Sequence, residues 1–599
     1  MNNQNYNQLV SNTFCSNAIR SVMLIDDDFL TYSDSINKLI AGERLEQKKI
    51  DGSKRAAQLE NFFQEKKILC DIDDGVANFD VDRIKKSDLI IIDYQLEHND
   101  PKKTLETLSE LKESAQFNLI IVYTNEDLIK VWKEICTTFI GTTLPLEIIE
   151  KTENFEAINL WEEVIKPNIE NNGNFGLSDD EIFEFVQKQT PPRRLAKELF
   201  SNEQFLIKSK EDPILRKHTH YFIEAIIQHN LNKYNILNKR KENINSSVVF
   251  GSCEENKWIK SGNVFISLFN KSSDLGDNEA ENIWLNLGQS LNEWKPSYYS
   301  MIKSEIQNKI EAEALSFEVH LANDIYGQAA WLNEILKATD QNIRKEKIDF
   351  IFKNIAEELY FKLRSNESLI DFIDGVFDHF SEEFDKIKID QTEDISRLKF
   401  CAESMGLSYH NECHYDMYHA LNMNTSSRNY REKYLTTGTV LFDENSNEWY
   451  LCVSAACDMV PSQGNDSYHK RLKPHRLIQV LKLFISDAHT AITNATHSKF
   501  IFVYENTTTP NRKYFTVTNP VTNLPQIDYM IVLNHTSQTE MRIIDAMVLS
   551  SQENEVLPIP IKLKLKSQLR TGYAERYQLI ASQYGGRIGV DYFGINIVE

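Results

Sequence analysis

Three short runs of apolar residues dominate the start of the chain, and each ends abruptly on a polar group. Ser21–Ile25 (SVMLI) stops at Asp26, Asp27 and Asp28, Leu89–Ile92 (LIII) stops at Asp93, and Asn118–Tyr123 (NLIIVY) stops at Thr124. Uninterrupted β-branched runs with helical stretches between them predict parallel strands covered on both faces. In such sheets the functional groups gather beyond the carboxyl ends of the strands. The pattern therefore predicts one cleft lined by carboxylates and a hydroxyl.

Further along, the periodicity predicts a helix over 179–187 and another over 194–200, after Pro191 and Pro192. Two strands are expected at 247–251 and 263–269. Amphipathic segments then run from about 278 to 390, with Trp284, Trp294 and Trp331 as core anchors and a helix stop at Lys295-Pro296. Beyond 400 the pattern is mixed: a hairpin at 438–454, strands at 500–504, 514–518 and 561–566, and a final helix over 567–584. At 599 residues the chain has room for three or four domains of about 100–200 residues each. The expected fold class is multidomain α/β, with a flavodoxin-like (βα)5 domain at 1–175. A mostly helical connector or dimerisation region follows at 176–400, with a short strand pair near 246–270, and then a mixed α+β output domain at 401–599.

Composition narrows the function classes. Hydrophobic residues make up 41% of the chain and charged residues 26%, a globular balance. No run of about 18 uncharged apolar residues predicts a membrane span. The eight cysteines form no CxxC pair, and the first residues lack a basic-then-apolar pattern, so a cytoplasmic protein without membrane contact is expected. The net charge of −22 is lopsided: residues 401–599 hold 18 Lys+Arg and 19 Asp+Glu, while the first 400 hold 48 and 69. Such a field repels a phosphate backbone, so nucleic-acid contact is expected only through the C-terminal third.

The chemistry of the expected cleft follows from its charges. Two or three carboxylates held together need a hard cation, and an oxygen-only set suits Mg²⁺. With the charge neutralised, the Asp93 carboxylate can attack a phosphoryl group and form an acyl phosphate. A hydroxyl at the next strand end and a lysine can then hold the phosphoryl oxygens.

These residues resemble the response-regulator receiver family. The resemblance implies that Asp26 and Asp27 are the acidic metal-binding pair, that Asp93 (IIDYQL) is the phosphoacceptor, and that Thr124 (IVYTNE) is the switch hydroxyl. It also implies that the backbone carbonyl of Gln95 completes the metal shell and that Lys151 (LEIIEK) is the lysine at the end of the last strand. Asp26 and Asp93 lie 67 positions apart, more than receivers ordinarily show, which implies an insertion around the charged stretch 42–66. Ile148, three before Lys151, replaces the usual aromatic switch residue, and no proline follows Lys151.

Outside this region the candidates are weaker. Cys457 and Asp458 suggest a thiol nucleophile if one of His410, His414, His419, His469, His475 or His489 supplies the base; a structural cysteine with a capping aspartate explains the same pair. Lys470, Arg471, Lys473 and Arg476, joined by Lys562, Lys564, Lys566, Arg570, Arg576 and Arg587, form an expected anion-binding patch, for nucleic acid or for the acidic part of the chain itself. The acidic stretch 371–393 reads as a solvated helix face, and His218, His220 and His229 lack metal-site spacing. The receiver, the Trp294–Ser297 segment (WKPS) and the Gly438–Asp458 unit together resemble large receiver-bearing proteins of bacterial conflict systems. That resemblance implies a histidine-kinase-like ATPase encoded nearby as phosphodonor, and a role in anti-phage defence; a homodimer is also expected. Three alternatives stay open: a non-phosphorylated pseudo-receiver scaffold, a cysteine-dependent enzyme using Cys457, and a DNA-binding transcription factor.

Overall fold

The computed structural model describes residues 2–42, 44–75, 79–96, 100–114, 116–172, 178–187, 203–241, 248–251, 256–272, 278–312, 324–338, 341–387, 395–410, 412–432, 434–460, 467–497, 499–503, 512–535, 542–552 and 555–585. The helix expected over 194–200 and Arg587 lie outside them. The chain divides into two compact units, residues 1–330 with 350–383 and residues 331–349 with 384–599.

The first unit is built on a seven-stranded sheet. Its strands are β1 Ser21–Ile25, β2 Leu69–Asp73, β3 Leu89–Asp93, β4 Asn118–Thr124, β5 Val248–Phe250, β6 Trp258–Ser261 and β7 Val264–Asn270. The spatial order is β2-β1-β3-β4-β7-β6-β5. The pairings from β2 through β7 are all parallel, and only β6 and β5 run antiparallel at the end. The apolar runs are buried as expected: every residue of β3 and β4 is buried. Each such Ile or Leu contributes about 1.5–3 kcal/mol relative to exposure.

Two expectations fail in this unit. The last parallel strand was expected at 146–150, but Pro145–Glu150 is an α-helix with Pro at its start and Lys151 as its exposed C-cap. Proline with its fixed φ opens a helix readily, and Ile148 and Ile149 are buried in the core under one face of the sheet. The fifth parallel strand is instead β7, which pairs with β4 along Asn118↔Val264 to Thr124↔Asn270. The strand pair expected near 246–270 is therefore part of this sheet, not of a separate connector.

Two helices lie between β1 and β2. The helix Gln47–Glu65 packs on the sheet through Ala56, Leu59 and Phe63. The helix Tyr32–Ala41 has no buried residue and exposes Tyr32, Leu39 and Ile40.

Helices Asn2–Ser11, Gln47–Glu65, Glu279–Trp294 and Tyr298–Ala312 cover one face of the sheet, with Val376 of Glu367–Lys386 in the same core. In that last helix Asp371, Asp374, Asp378, Glu382 and Glu383 are exposed, the solvated face the sequence suggested.

In the second unit the expected mixed α+β domain is an antiparallel β-barrel with peripheral helices. Its strands are β8 Ser427–Asn429, β9 Thr439–Asp443, β10 Glu448–Cys452, β11 Arg476–Ile485, β12 Phe500–Phe502, β13 Tyr514–Thr516, β14 Ile527–Val532, β15 Ile543–Gln552 and β16 Glu555–Leu569. The path β10-β9-β16-β15-β14-β11 closes on itself because β11 also pairs with β10. Alternation divides the barrel residues: Leu441, Cys452, Val480, Val532, Ala546 and Leu563 share one core. Val440, Trp449 and Leu481 share another with the helix Thr571–Gly585. Closure removes the free edges of those six strands, while β8 and the β13–β12 pair lie outside the ring.

Candidate active site

The carboxyl ends of β1, β3, β4 and β7 converge as parallel strands in register. Asp26 follows β1 and is 2% exposed, Asp93 ends β3, and Thr124 ends β4 at 1% exposed. The carboxylates of Asp26, Asp27 and Asp93 each offer an oxygen within 4.8 Å of the others. The geometry thus brings together four of the residues the sequence singled out. Gln95 is half-buried two positions beyond Asp93.

The cation of this cleft is Lys271, the residue after β7. Its ammonium is 2.8 Å from Asp26 Oδ2 and 3.0 Å from Asp93 Oδ1, with the side chain 4% exposed. Lys151 makes no hydrogen bond or ion pair of this kind among the described residues. The sequence had marked 263–269 as a strand, and a strand ending on a lysine was the available signal. It was missed because nothing local shows which strand β4 pairs with.

Backbone contacts hold Lys271 in place. Its N–H donates to the Thr124 carbonyl at 2.8 Å, and Asn270 Nδ2 donates to the Thr124 and Glu126 carbonyls. The Thr104 hydroxyl donates to the Asp93 carbonyl at 3.0 Å, and the Asp28 N–H donates to Asp26 Oδ1 at 2.9 Å. Thr124 Oγ1 accepts the Glu126 N–H at 3.1 Å, which leaves its proton for a further acceptor.

Burial pushes the Asp93 carboxyl up to about 6 against the opposing pull of Lys271, with the charges of Asp26 and Asp27 adding to the rise. Asp27 is raised by burial and by Asp28 and Asp26, and Lys48 and Lys49 offset part of that. For Lys271, burial disfavours the charge, but Asp26 and Asp93 outweigh it and hold the ammonium above its ordinary value. These are the electrostatics of a buried carboxylate set whose negative charge the nearby lysines offset only in part.

Two further lysines reach the mouth of the cleft from the helix Gln47–Glu65. Lys48 pairs with Asp28 at 2.9 Å and the Lys49 ammonium donates to the Asp27 carbonyl. Gly52 lies so close that a Cβ there would sit 2.4 Å from the Asp28 carbonyl oxygen.

Residues 18–172 match the family model described as a response receiver domain. The N-terminal part of this chain is a response receiver domain. The match spans about a quarter of the chain and ends well before β7 and Lys271. No curated protein and no solved structure matches the chain.

The C-terminal candidates are not assembled into one site. Cys457 is exposed and sits 3.5 Å from Asp458 Oδ1 in the short helix Ala456–Met459. Among the described residues no histidine hydrogen-bonds to it. His469 Nδ1 contacts Arg476 at 2.9 Å, His535 bonds the Met459 carbonyl, His475 accepts the Asn534 N–H, and His419 bonds the Lys513 carbonyl. Lys470, Arg471 and Lys473 are exposed, but Arg476 is buried and also donates to the Val460 carbonyl. Arg476 therefore drops out of the expected anion patch, because β11 turns it inward. No described helix is long and apolar enough to cross a membrane.

Proposed function

We propose that this protein is a phosphorylation-controlled signalling protein in which Asp93 accepts a phosphoryl group and Lys271, not Lys151, is the lysine that pairs with its oxygens. The observation that carries the reading is the position of the Lys271 ammonium between the Asp26 and Asp93 carboxylates at 2.8 and 3.0 Å. An Asp93 oxygen attacks the phosphorus, the bond from phosphorus to the donor's leaving group breaks, and an acyl phosphate forms. Thr124 and Lys271 then turn toward the phosphoryl oxygens, Thr124 donating a hydrogen bond and Lys271 a charge-assisted one.

The donor set fits Mg²⁺, since it consists of oxygens and carries an excess of buried negative charge. Asp26, Asp27, Asp93 and the Gln95 carbonyl would hold the ion, which neutralises charge on the transferring group. Phosphorylation moves the negative charge at Asp93 outward onto the phosphoryl oxygens and increases it, which changes the contacts of Lys271, and the rest of the first unit and the barrel respond. A histidine-kinase-like ATPase as donor and a role in anti-phage defence rest on the resemblance of the receiver, the WKPS segment at 294–297 and the 438–458 unit; a homodimer rests on reading the middle region as a dimerisation layer.

The test is incubation of the full chain with Mg²⁺ and acetyl phosphate, read by intact mass under acidic conditions. A gain of one phosphoryl group in wild type, absent from Asp93→Asn, is expected. An equal mass for both proteins would favour a scaffold that keeps the fold without the chemistry.

A further inference from the structure

Glu279 is a buried carboxylate outside the acidic cleft, and three donors converge on it. It is the first residue of the helix Glu279–Trp294, and its side chain is 6% exposed. Its Oε1 accepts the Tyr123 hydroxyl at 2.6 Å and the Ser272 N–H at 2.8 Å. Its Oε2 accepts Arg55 Nε at 3.2 Å, and Arg55 donates onward to the Ser272 carbonyl at 2.8 Å.

The identities of these partners matter. Tyr123 immediately precedes Thr124, and Ser272 immediately follows Lys271. One carboxylate thus holds the chain beside both groups that must move onto a phosphoryl oxygen. Tyr123 adds a second link, since the Lys271 ammonium and the Arg55 guanidinium lie 5.5 and 5.9 Å from its ring centre. A shift of Lys271 or Thr124 changes the position of Ser272 or Tyr123, and Glu279 cannot keep both bonds without moving.

Glu279 opens its helix, and that helix is tied to the rest of the unit. Asn286 accepts from Ser267, Glu293 accepts from Trp258, and the Tyr6 hydroxyl donates to the Pro296 carbonyl just beyond the helix. Tyr6 in turn stacks on His379 with ring centres 4.1 Å apart. His379 belongs to Glu367–Lys386, the last helix of the first unit before the chain enters the second.

We infer that Glu279 is a positioning residue that sets Lys271 and Thr124 for phosphoryl binding and passes their displacement to the helix Glu279–Trp294. The inference rests on the receiver reading of the acidic cleft. The signal then leaves along this helix and the N-terminal helix Asn2–Ser11, without an aromatic switch residue on the last parallel strand three positions before the lysine, where Leu268 stands.

The experiment measures Mg²⁺ binding and Mg²⁺-dependent beryllofluoride binding by the full chain, with hydrogen exchange across 279–294. Glu279→Gln keeps an acceptor for Tyr123 and Ser272 but removes the charge facing Arg55; Tyr123→Phe removes one hydrogen bond and keeps the ring. Both variants should bind Mg²⁺ as wild type does, because Asp26, Asp27 and Asp93 are untouched. They should bind beryllofluoride about tenfold more weakly, within the usual range of coupling between sites, and lose the beryllofluoride-induced protection of helix 279–294. Equal weakening of Mg²⁺ and beryllofluoride binding would mark general loosening and overturn the inference. Wild-type beryllofluoride affinity and protection in both variants would overturn it as well. Failure of wild type to bind beryllofluoride at all would instead sink the receiver reading beneath it.

Discussion

The acidic cleft should cost this protein stability, and Asp93→Asn measures how much. Raising a carboxyl from 3.8 to about 6 costs the folded state about 3 kcal/mol once the group is ionised, at about 1.36 kcal/mol per pH unit. The folded value lies above the unfolded one, so the penalty is fully present above about pH 6 and is gone below about pH 3.8. Asparagine removes the charge but leaves Lys271 with Asp26 as its remaining close partner, which takes back part of the gain. The expected net stabilisation at pH 8 without divalent metal is about 1–2 kcal/mol, falling to about half at pH 5. Urea unfolding followed by tryptophan fluorescence reports on the first unit, which holds five of the seven tryptophans. Adding Mg²⁺ at a hundred times its Kd should stabilise wild type by about 2.7 kcal/mol and reverse the order of the two proteins. Destabilisation by Asp93→Asn at pH 8, or a difference that does not change between pH 8 and 5, would refute the assignment of the cleft as a strained carboxylate set.

Lys271→Met should abolish beryllofluoride binding and destabilise the first unit by about 3–5 kcal/mol, since it leaves buried carboxylates unpaired; Lys151→Met should behave as wild type in both measurements. Gly52→Ala drives a methyl group into the Asp28 carbonyl, with a packing cost of about 1–3 kcal/mol and at least tenfold weaker Mg²⁺ binding in calorimetry, and unchanged binding would show that the acidic loop is not held by this helix. Native alkylation with iodoacetamide should label Cys457, which is exposed, and spare Cys15, Cys136 and Cys452, which are buried with thiols pushed well above their ordinary values, to about 12 for Cys15 and Cys452. Peptide mapping reads the outcome, and Cys457→Ser should leave acyl-phosphate formation unchanged.

The sequence by itself determined β1, β3 and β4 and, with them, Asp26, Asp27, Asp93 and Thr124. Strands buried on both faces carry continuous apolar runs, and the residue that ends each run is fixed by its neighbours in the chain. The same local logic marked Asn263–Phe269 as a strand and the lysine-bearing stretch 561–566 as one face of another. Which strands pair is not a local property. Only the tertiary structure decided that β4 is joined in register by a strand 146 positions further along the chain, Thr124↔Asn270, rather than by the apolar stretch at 146–150, where proline starts a helix. That choice replaced Lys151 with Lys271 and placed Ser272 against Glu279. The barrel shows the same limit. One hairpin, β9 with β10, was visible along with parts of β12, β13 and β16, but β11, β14 and β15 were not, and β11 closes the ring by pairing with both β10 and β14; that closure turned Arg476 from a surface cation into a buried one. Pairing energy depends on which side chains meet across the sheet, and those partners lie far apart in the chain.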